Sequence, residues 1–272
     1  QTRYSKVTTG GSVRLGVPLT EYSSLIGSYT LNYDQVTIDE REFFRDVDGD
    51  GTSECDPLLA SRFICDTLGN RMSSILGLNY VYNSLNSYSR PSRGTRLTAG
   101  IDFAGLGGDT RYVRLRGQAA KYWPVMGDFI FSLSGEGGYI KGFGGNGPRS
   151  DEVLLTDRFF LGEPQIRGFD IRGVGPRVLR QPITDDGTGN PLVITDRDRG
   201  GDDAIGGNAY YLGRAELEIP LGSGAREMGL RPSIFLDVGA LFNVNKPQVQ
   251  DSPFPGGIPI QARDLSGNLL YD

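Results

Sequence analysis

Two carboxylates occupy segments in which apolar and polar residues alternate, and Arg167 lies in the long polar stretch that precedes them. Glu218 belongs to residues 215–220 and Asp237 to residues 235–239. If these segments are membrane strands, both carboxylates point away from lipid, because a lipid-facing surface penalises charge. A carboxylate buried in this way requires a cation or several hydrogen-bond donors, and arginine can offer two parallel donors. The pattern therefore indicates that both carboxylates need cationic or hydrogen-bonding partners, for which Arg167 is suited; a general network of inward charges is the alternative.

Residues suited to catalysis are sparse. The chain contains no histidine, which removes the commonest general base and metal ligand and any Ser-His-Asp triad. Glu216 and Glu218 share one face of their segment, and paired carboxylates can hydrolyse glycosides. No nucleophile or oriented base accompanies them, so we predict that the protein is not an enzyme and uses no cofactor.

A short acidic run has the appearance of a calcium-binding loop. Asp46, Asp48 and Asp50 alternate with other residues, as they do at the start of an EF-hand loop. The twelfth position counted from Asp46 is Pro57, where an EF-hand requires a bidentate glutamate. We therefore expect a solvated acidic loop and no metal, with a surface calcium ion on the three aspartates as the alternative.

The only two cysteines, Cys55 and Cys65, lie close together in one short polar segment. A disulfide between them would indicate an oxidising compartment such as the periplasm or the cell surface. We predict this disulfide; two reduced thiols in a cytosolic loop are the alternative.

Composition limits the kind of partner and of membrane span. The net charge is -5 and the chain has no basic run, so a nucleic-acid partner is not expected. No run of about 18 apolar residues is present, which excludes a transmembrane helix. Mean hydropathy is low, at -0.30, but in a β-barrel the lipid-facing and inward-facing residues alternate and their contributions average out.

Alternation with a period of two recurs along the chain and predicts about eight β-strands. The predicted strands cover residues 11–18, 22–36, 73–82, 94–104, 111–125, 128–140, 208–220 and 233–244. Short turns alternate with long loops at 37–71, at 142–207 and from 245 onward, as in an outer-membrane barrel. Aromatic residues near strand ends also favour a barrel over the alternative, a soluble β-sandwich.

The most specific motif is Phe-Phe-Leu-Gly-Glu-Pro-Gln-Ile-Arg-Gly-Phe at residues 159–169, continued by residues 170–177. This stretch resembles the sixth extracellular loop of the outer-membrane insertase superfamily. The Gly-Gly-Asn sequence at 206–208 also resembles the element that precedes the next strand in that family. The resemblance covers most of the chain and is strongest between residues 159 and 239.

The resemblance implies a transmembrane antiparallel β-barrel in which the long loop folds back into the lumen. It implies that Arg167 pairs with Glu218 and Asp237. Gly168 would permit a sharp turn at the loop tip, and Phe169 would pack in the lumen. Residues 1–272 would form about half of a sixteen-stranded barrel, with an extracellular loop at 142–207, and the family's periplasmic POTRA domains and its first and last strands would lie outside this sequence.

The function implied by the resemblance is insertion of β-barrel proteins into the outer membrane of a Gram-negative bacterium. The implied partners are unfolded outer-membrane proteins, the lipid bilayer and, through POTRA domains, the lipoproteins of the assembly machinery. Two-partner secretion transporters and TamA-like transporters share the loop motif and are the first alternative. A passive porin is the second, and a loop-plugged barrel would conduct less than a porin does.

Overall fold

The computed structural model describes residues 4–46, 51–144, 153–180, 183–185, 191–193, 201–221 and 230–244. Its main feature is one eight-stranded antiparallel sheet in which each strand pairs with the next along the chain. The strands are β1 Tyr4–Pro18, β2 Ser23–Ile38, β3 Gly69–Asn83, β4 Gly94–Gly108, β5 Tyr112–Pro124, β6 Ile130–Gly142, β7 Ala209–Glu218 and β8 Ser233–Phe242.

The two faces of the sheet differ as the alternation predicts. On β8, Ile234, Leu236 and Val238 are 66%, 63% and 52% exposed, whereas the side chain of Asp237 between them is only 4% exposed. Large apolar residues thus cover the outward face and polar residues the inward face. This distribution is that of the wall of a transmembrane β-barrel.

All eight predicted strands are present, and the largest error in their bounds is at β1. The prediction began at residue 11, whereas the strand begins at Tyr4. Residues 4–10 are mostly polar and lack an alternating pattern, but they continue the register with β2 as far as Ile38. Thr8 also donates a hydrogen bond to Asp34 of β2 (2.6 Å), a contact that no hydrophobic pattern reveals.

Aromatic side chains gather near the short connections of the sheet. Tyr22 and Tyr82 lie with their ring centroids 6.4 Å apart, next to the first turn. Trp123 stacks on Phe131 with centroids 5.7 Å apart, next to the turn between β5 and β6. Such aromatic residues mark the membrane–water interface in outer-membrane barrels.

The long connections at the opposite end contain small elements that the sequence did not predict. Between β2 and β3 lie the helices Glu40–Phe43, Pro57–Ala60 and Arg62–Cys65, and the paired strands Phe44–Arg45 and Glu54–Cys55. Between β6 and β7 lie the 3-10 helix Leu155–Asp157 and two further strand pairs, Arg177–Arg180 with Gly201–Ala204 and Ile183–Asp185 with Pro191–Val193.

The buried apolar residues lie between the inward face of the wall and these connections. One cluster joins Phe63 and Ile64 of the first connection to Leu155 and Ile205 of the second. Another packs Leu161 and Ile166 of the second connection against Leu212 and Leu241 of the wall. Among the described residues, no helix is long and apolar enough to cross a membrane.

Candidate functional site

The second long connection returns to the wall at Phe159. The backbones of Phe159 and Gly207 form two hydrogen bonds of 2.9 Å, and the Phe159 ring lies 4.8 Å from that of Tyr210 on β7. Gly138 of β6 leaves room for both rings, because an added Cβ there would come within 2.7 Å of each. The missing side chain therefore allows the loop to lie directly on the inner wall.

Beyond Phe159 the loop folds into a compact turn. Leu161 and Val174 pair as an antiparallel bridge, and the amides of Gln165 and Ile166 donate to the carbonyl of Gly162 at 2.8 and 3.1 Å. A Cβ at Gly162 would collide with the Asp170 carbonyl oxygen and nearby backbone amides. Glycine is thus required for the close approach of the two arms.

Arg167, at the tip of this turn, binds two carboxylates of the wall. Its Nε and Nη2 each donate to one oxygen of Asp237, both at 2.9 Å, and Nη1 donates to Oε2 of Glu216 at 3.2 Å. The guanidinium also lies 3.3 Å from the ring centroid of Phe235. Hydrogen bonding to Asp237 raises the pKa of Arg167 above its ordinary value, so the cation is favoured further.

A second arginine, Arg214 of β7, completes the contact. Its Nε donates to Oδ1 of Asp237 at 2.9 Å, and its Nη2 donates to the carbonyl oxygen of Gln165 in the loop at 2.7 Å. Asp237, which is almost fully buried, is therefore held by two cations. We call Arg167, Arg214, Glu216 and Asp237 the arginine clamp.

The structure brings Arg167 and Asp237 together as expected, but the prediction of Glu218 as the second carboxylate is wrong. Glu216, and not Glu218, contacts Arg167. Arg214 lies opposite Asp237 in the register of β7 and β8, so Glu216 is the next inward carboxylate along β7. Glu218 lies two residues beyond Glu216, which is about 7 Å farther along the strand. Its carboxylate is 3.9 Å from Arg231.

The residue that anchors the tip by packing is also different from the expected one. Gly168 has a φ of 85°. This is the sharp left-handed turn that was expected there, because glycine has no Cβ to restrict its backbone. Phe169 beyond it is 48% exposed and is not the apolar anchor, whereas Ile166 before it is only 3% exposed. Ile166 packs with Leu161, Leu212 and Leu241, so the anchor precedes the arginine.

A second set of charges ties the start of the loop to the opposite part of the wall. Arg71 of β3 contacts Asp157 at 3.2 Å and Asp34 of β2 at 3.6 Å, and its Nη2 donates to the hydroxyl of Thr156 at 2.9 Å. Burial raises the pKa of the Asp157 carboxyl, and Arg71 offsets part of that rise. Sequence reasoning missed this contact, because Arg71 lies at the edge of a predicted loop.

Arg158 joins the two long connections to each other. Its Nε donates to the carbonyl of Val153 at 2.9 Å and its Nη1 to that of Ile205 at 3.2 Å. Its guanidinium lies 4.7 Å from the ring centroid of Phe63. Phe63 precedes Cys65, which forms a disulfide with Cys55 in the structure, so a cross-linked segment packs against the base of the long loop.

The acidic run is only partly described. Asp46 accepts a hydrogen bond from the backbone amide of Gly51 at 3.0 Å, while Asp48 and Asp50 lie outside the described residues. Within the described residues, no group of three or more histidine, cysteine, aspartate or glutamate side chains could hold a metal ion.

Comparisons with known proteins agree with the architecture. The family model of the Omp85 superfamily domain matches residues 1–257. The crystal structure of BamA from Haemophilus ducreyi lacking POTRA domains 1–3 superposes with a TM-score of 0.64, covering 88% of this chain and 42% of that chain at 22% identity. This likeness supports the fold: the sheet is part of a transmembrane β-barrel.

Curated relatives share sequence over most of the chain. The outer membrane protein assembly factor BamA of Neorickettsia risticii is 29% identical over 243 residues, which are 89% of this chain and 27% of that protein. BamA of Neisseria meningitidis is 24% identical over 263 residues, which are 94% of this chain and 29% of that protein. The chain thus spans less than a third of these relatives.

Proposed function

The chain belongs to the Omp85 superfamily, and we propose that it forms part of the barrel of an outer-membrane insertase that assembles β-barrel proteins. The proposal rests on the arginine clamp, which fixes a lumenal loop to two neighbouring strands, and on the similarity to BamA sequences. The proposed location is the outer membrane of a Gram-negative bacterium.

The clamp suits a barrel that must hold its shape while it handles substrate. Strands entering hydrocarbon need partners for their backbone groups, and an exposed strand edge can supply them. A wall that opens at an edge loses hydrogen bonds there, so its remaining strands need support from elsewhere. Arg167 supports β7 through Glu216 and β8 through Asp237, and Ile166 adds apolar packing at the same place.

The partners of this activity follow from the role. Unfolded outer-membrane proteins are the proposed substrates, and the bilayer is the medium into which they are inserted. BAM lipoproteins are proposed to bind through POTRA domains elsewhere in the full-length protein. The chemistry is strand pairing and not bond cleavage, so we propose neither an enzymatic activity nor a cofactor.

The test uses the full-length protein in liposomes and an unfolded β-barrel substrate diluted from urea. Arg167→Ala should lower the rate of substrate folding several-fold. Arg116→Ala is the matched control, because Arg116 is an inward arginine paired with Asp102 at 2.7 Å, away from the clamp. Unchanged substrate folding with Arg167→Ala would overturn the proposed role of the clamp.

The same liposomes separate the alternative functions. A porin would show large, steady conductance and no acceleration of substrate folding. A two-partner secretion or TamA-like transporter would leave the folding rate of the barrel substrate at the level of empty liposomes. Either result in the wild-type protein would contradict the insertase function itself.

A further inference from the structure

The outward face of the wall carries an apolar groove of about 650 Å³ across β2–β6. Its floor is formed by Ala99, Gly117 and Gly137, which lie side by side in register on β4, β5 and β6. Tyr80, in register with Ala99, lines one side, and Tyr139, in register with Leu115, lines the end toward the long loops. The groove exists because three adjacent strands have almost no side chain where their neighbours have aromatic rings.

The groove is closed on one side and open on the other. Toward the long loops, Ile101 and Leu115 form the next register pair and line the groove. Toward the short turns, the next register pair on β5 and β6 is Ala119 with Gly135, and both of these residues are again small. The depression therefore continues along β5 and β6 toward the membrane interface at the short-turn end, beside Leu97 of β4, which is in register with Ala119.

Lys121 lies at that open end. It is on the same face of β5 as Gly117, four residues away, which is about 14 Å along a strand. With a strand tilt of about 35–45°, the vertical separation is about 10 Å. One leaflet contributes about 15 Å of hydrocarbon, so the groove lies within the acyl region of the leaflet whose interface Lys121 reaches.

Lys121 is chemically suited to a phosphate. Its ammonium lies 5.2 Å from the ring centroid of Trp123, so an aromatic ring and a cation stand together at the interface. No ion pair to Lys121 is found in the part of the chain that the structure describes. An ammonium on a lipid-facing surface is attracted to the anionic group that the interface offers, which is a lipid phosphate.

We propose that this groove binds a phospholipid of the leaflet at the short-turn end, with one acyl chain along Gly117 and Gly137 and the phosphate on Lys121. The occupant is a lipid because the groove opens toward a cation at the interface. A protein segment is the other possible occupant, since small residues also allow protein backbones to approach in membranes, and the test separates the two.

Full-length protein in liposomes is irradiated with phosphatidylethanolamine that carries a diazirine on one acyl chain, and labelled peptides are identified by mass spectrometry. Peptides with residues 113–121 and 135–139 should be labelled several-fold more than outward-facing peptides of β1 and β8. Gly117→Leu should abolish this excess, because a Cβ at Gly117 meets no atom within 4 Å and the leucine would fill the groove.

Gly11→Leu is the matched control, since Gly11 also has open space around it and lies on the outward face of β1. It should leave the labelling unchanged. Lys121→Gln should reduce labelling by the phospholipid but not by a diazirine fatty alcohol, which has no phosphate. Both glycine variants must retain the gel mobility of the folded barrel.

Three results would overturn the proposal. Labelling spread evenly over all outward-facing strands would show that the groove holds no preferred lipid. Labelling that persists with Gly117→Leu would place the bound lipid elsewhere. Loss of the excess in native membranes, together with protein crosslinks from a photoreactive residue at position 119, would identify a protein as the occupant.

Discussion

Arg214 and Asp237 face each other across β7 and β8, and the Nε of Arg214 donates to the Asp237 carboxylate at 2.9 Å. The same carboxylate receives two hydrogen bonds from the Arg167 side chain. Asp237 is thus shared between the wall and the loop, and Arg214 also binds the loop backbone at Gln165. Arg214 therefore binds the Asp237 carboxylate from within the wall, at the place where Arg167 of the loop also binds it.

Because Asp237 has two cations, loss of one should be tolerated better than loss of both. Arg167→Ala should lower the free energy of unfolding by about 1–3 kcal/mol, since its charge-assisted hydrogen bonds to Asp237 and Glu216 are removed while Arg214 still binds Asp237. The double variant with Arg214→Ala should cost more than the sum of the two single variants, as expected for residues in one network. Urea unfolding of the full-length barrel measures all three values.

Arg116→Ala is the reference for these measurements. The Arg116 side chain is 51% exposed and pairs with Asp102, so its loss should cost no more than about 1 kcal/mol. Strict additivity of the Arg167 and Arg214 variants would show that the two arginines act independently, contrary to the shared carboxylate.

Loss of the second tie, at Arg71, should cost more than loss of Arg167 alone. Arg71→Met leaves Asp157 without its cation, and removal of one partner from a buried pair costs about 3–5 kcal/mol. Lys6→Met is the matched change, because Lys6 contacts Asp34 at 3.0 Å from a more exposed position and should cost about 1 kcal/mol or less. Proteolysis of residues 153–158 and urea unfolding are the measurements, and equal costs for the two variants would contradict this assignment.

Asp157 should make the free energy of unfolding depend on pH, and the direction of that change can be derived. Burial raises its pKa above the ordinary value of 3.8, so the folded protein holds this proton more tightly than the unfolded chain does. As the pH rises from 3.8 toward the folded pKa, the unfolded chain loses the proton first and the free energy of unfolding falls.

Asp157→Asn removes this titration. The stability of the wild-type protein minus that of Asp157→Asn should therefore fall as the pH is raised through that window, and should be constant above it. Urea unfolding of both proteins between about pH 4 and pH 7 gives the difference. A difference that rises with pH would mean that attraction to Arg71 outweighs burial.

The disulfide should stabilise the contact between the two long connections. Replacing Cys55 and Cys65 by alanine should lower stability by about 2–3 kcal/mol, through the added freedom of the unfolded chain. Hydrogen exchange should quicken at the amide of Ile205, which bonds the carbonyl of Pro176 at 3.2 Å, because Phe63 and Ile64 pack beside it. A reductant should quicken exchange at this amide in the wild type and have no effect on it in the variant. Unchanged exchange in the reduced wild type and in the variant would show that the segment packs without the crosslink.

Alternation was enough to predict the wall, because a barrel strand must present apolar residues to lipid and polar ones to the lumen at every second position. That constraint located all eight strands and put Asp237 on the inner face. It could not choose between Glu216 and Glu218, since both have the same phase. The choice depends on the register that sets Arg214 opposite Asp237.

The loops were harder to predict, because their contacts join residues far apart in sequence without a periodic signal. Arg158 bonds Ile205, 47 residues away, and Arg71 bonds Thr156, 85 residues away. The prediction that Phe169 packs in the lumen was wrong for a related reason. An apolar residue beside Arg167 was expected to anchor the tip, but the chain turns at Gly168 and the anchor is Ile166 on the other side.

The most direct test of the loop position is a thiol crosslink in the full-length protein in membranes, with Cys55 and Cys65 replaced by alanine. Cysteines at positions 167 and 237 should be joined efficiently by a short bifunctional reagent, because Ile166 and the bridge between Phe159 and Gly207 still hold the loop against the wall. Cysteines at 167 and 218 should be joined less efficiently. No crosslink between 167 and 237, or a preference for 218, would contradict the arginine clamp.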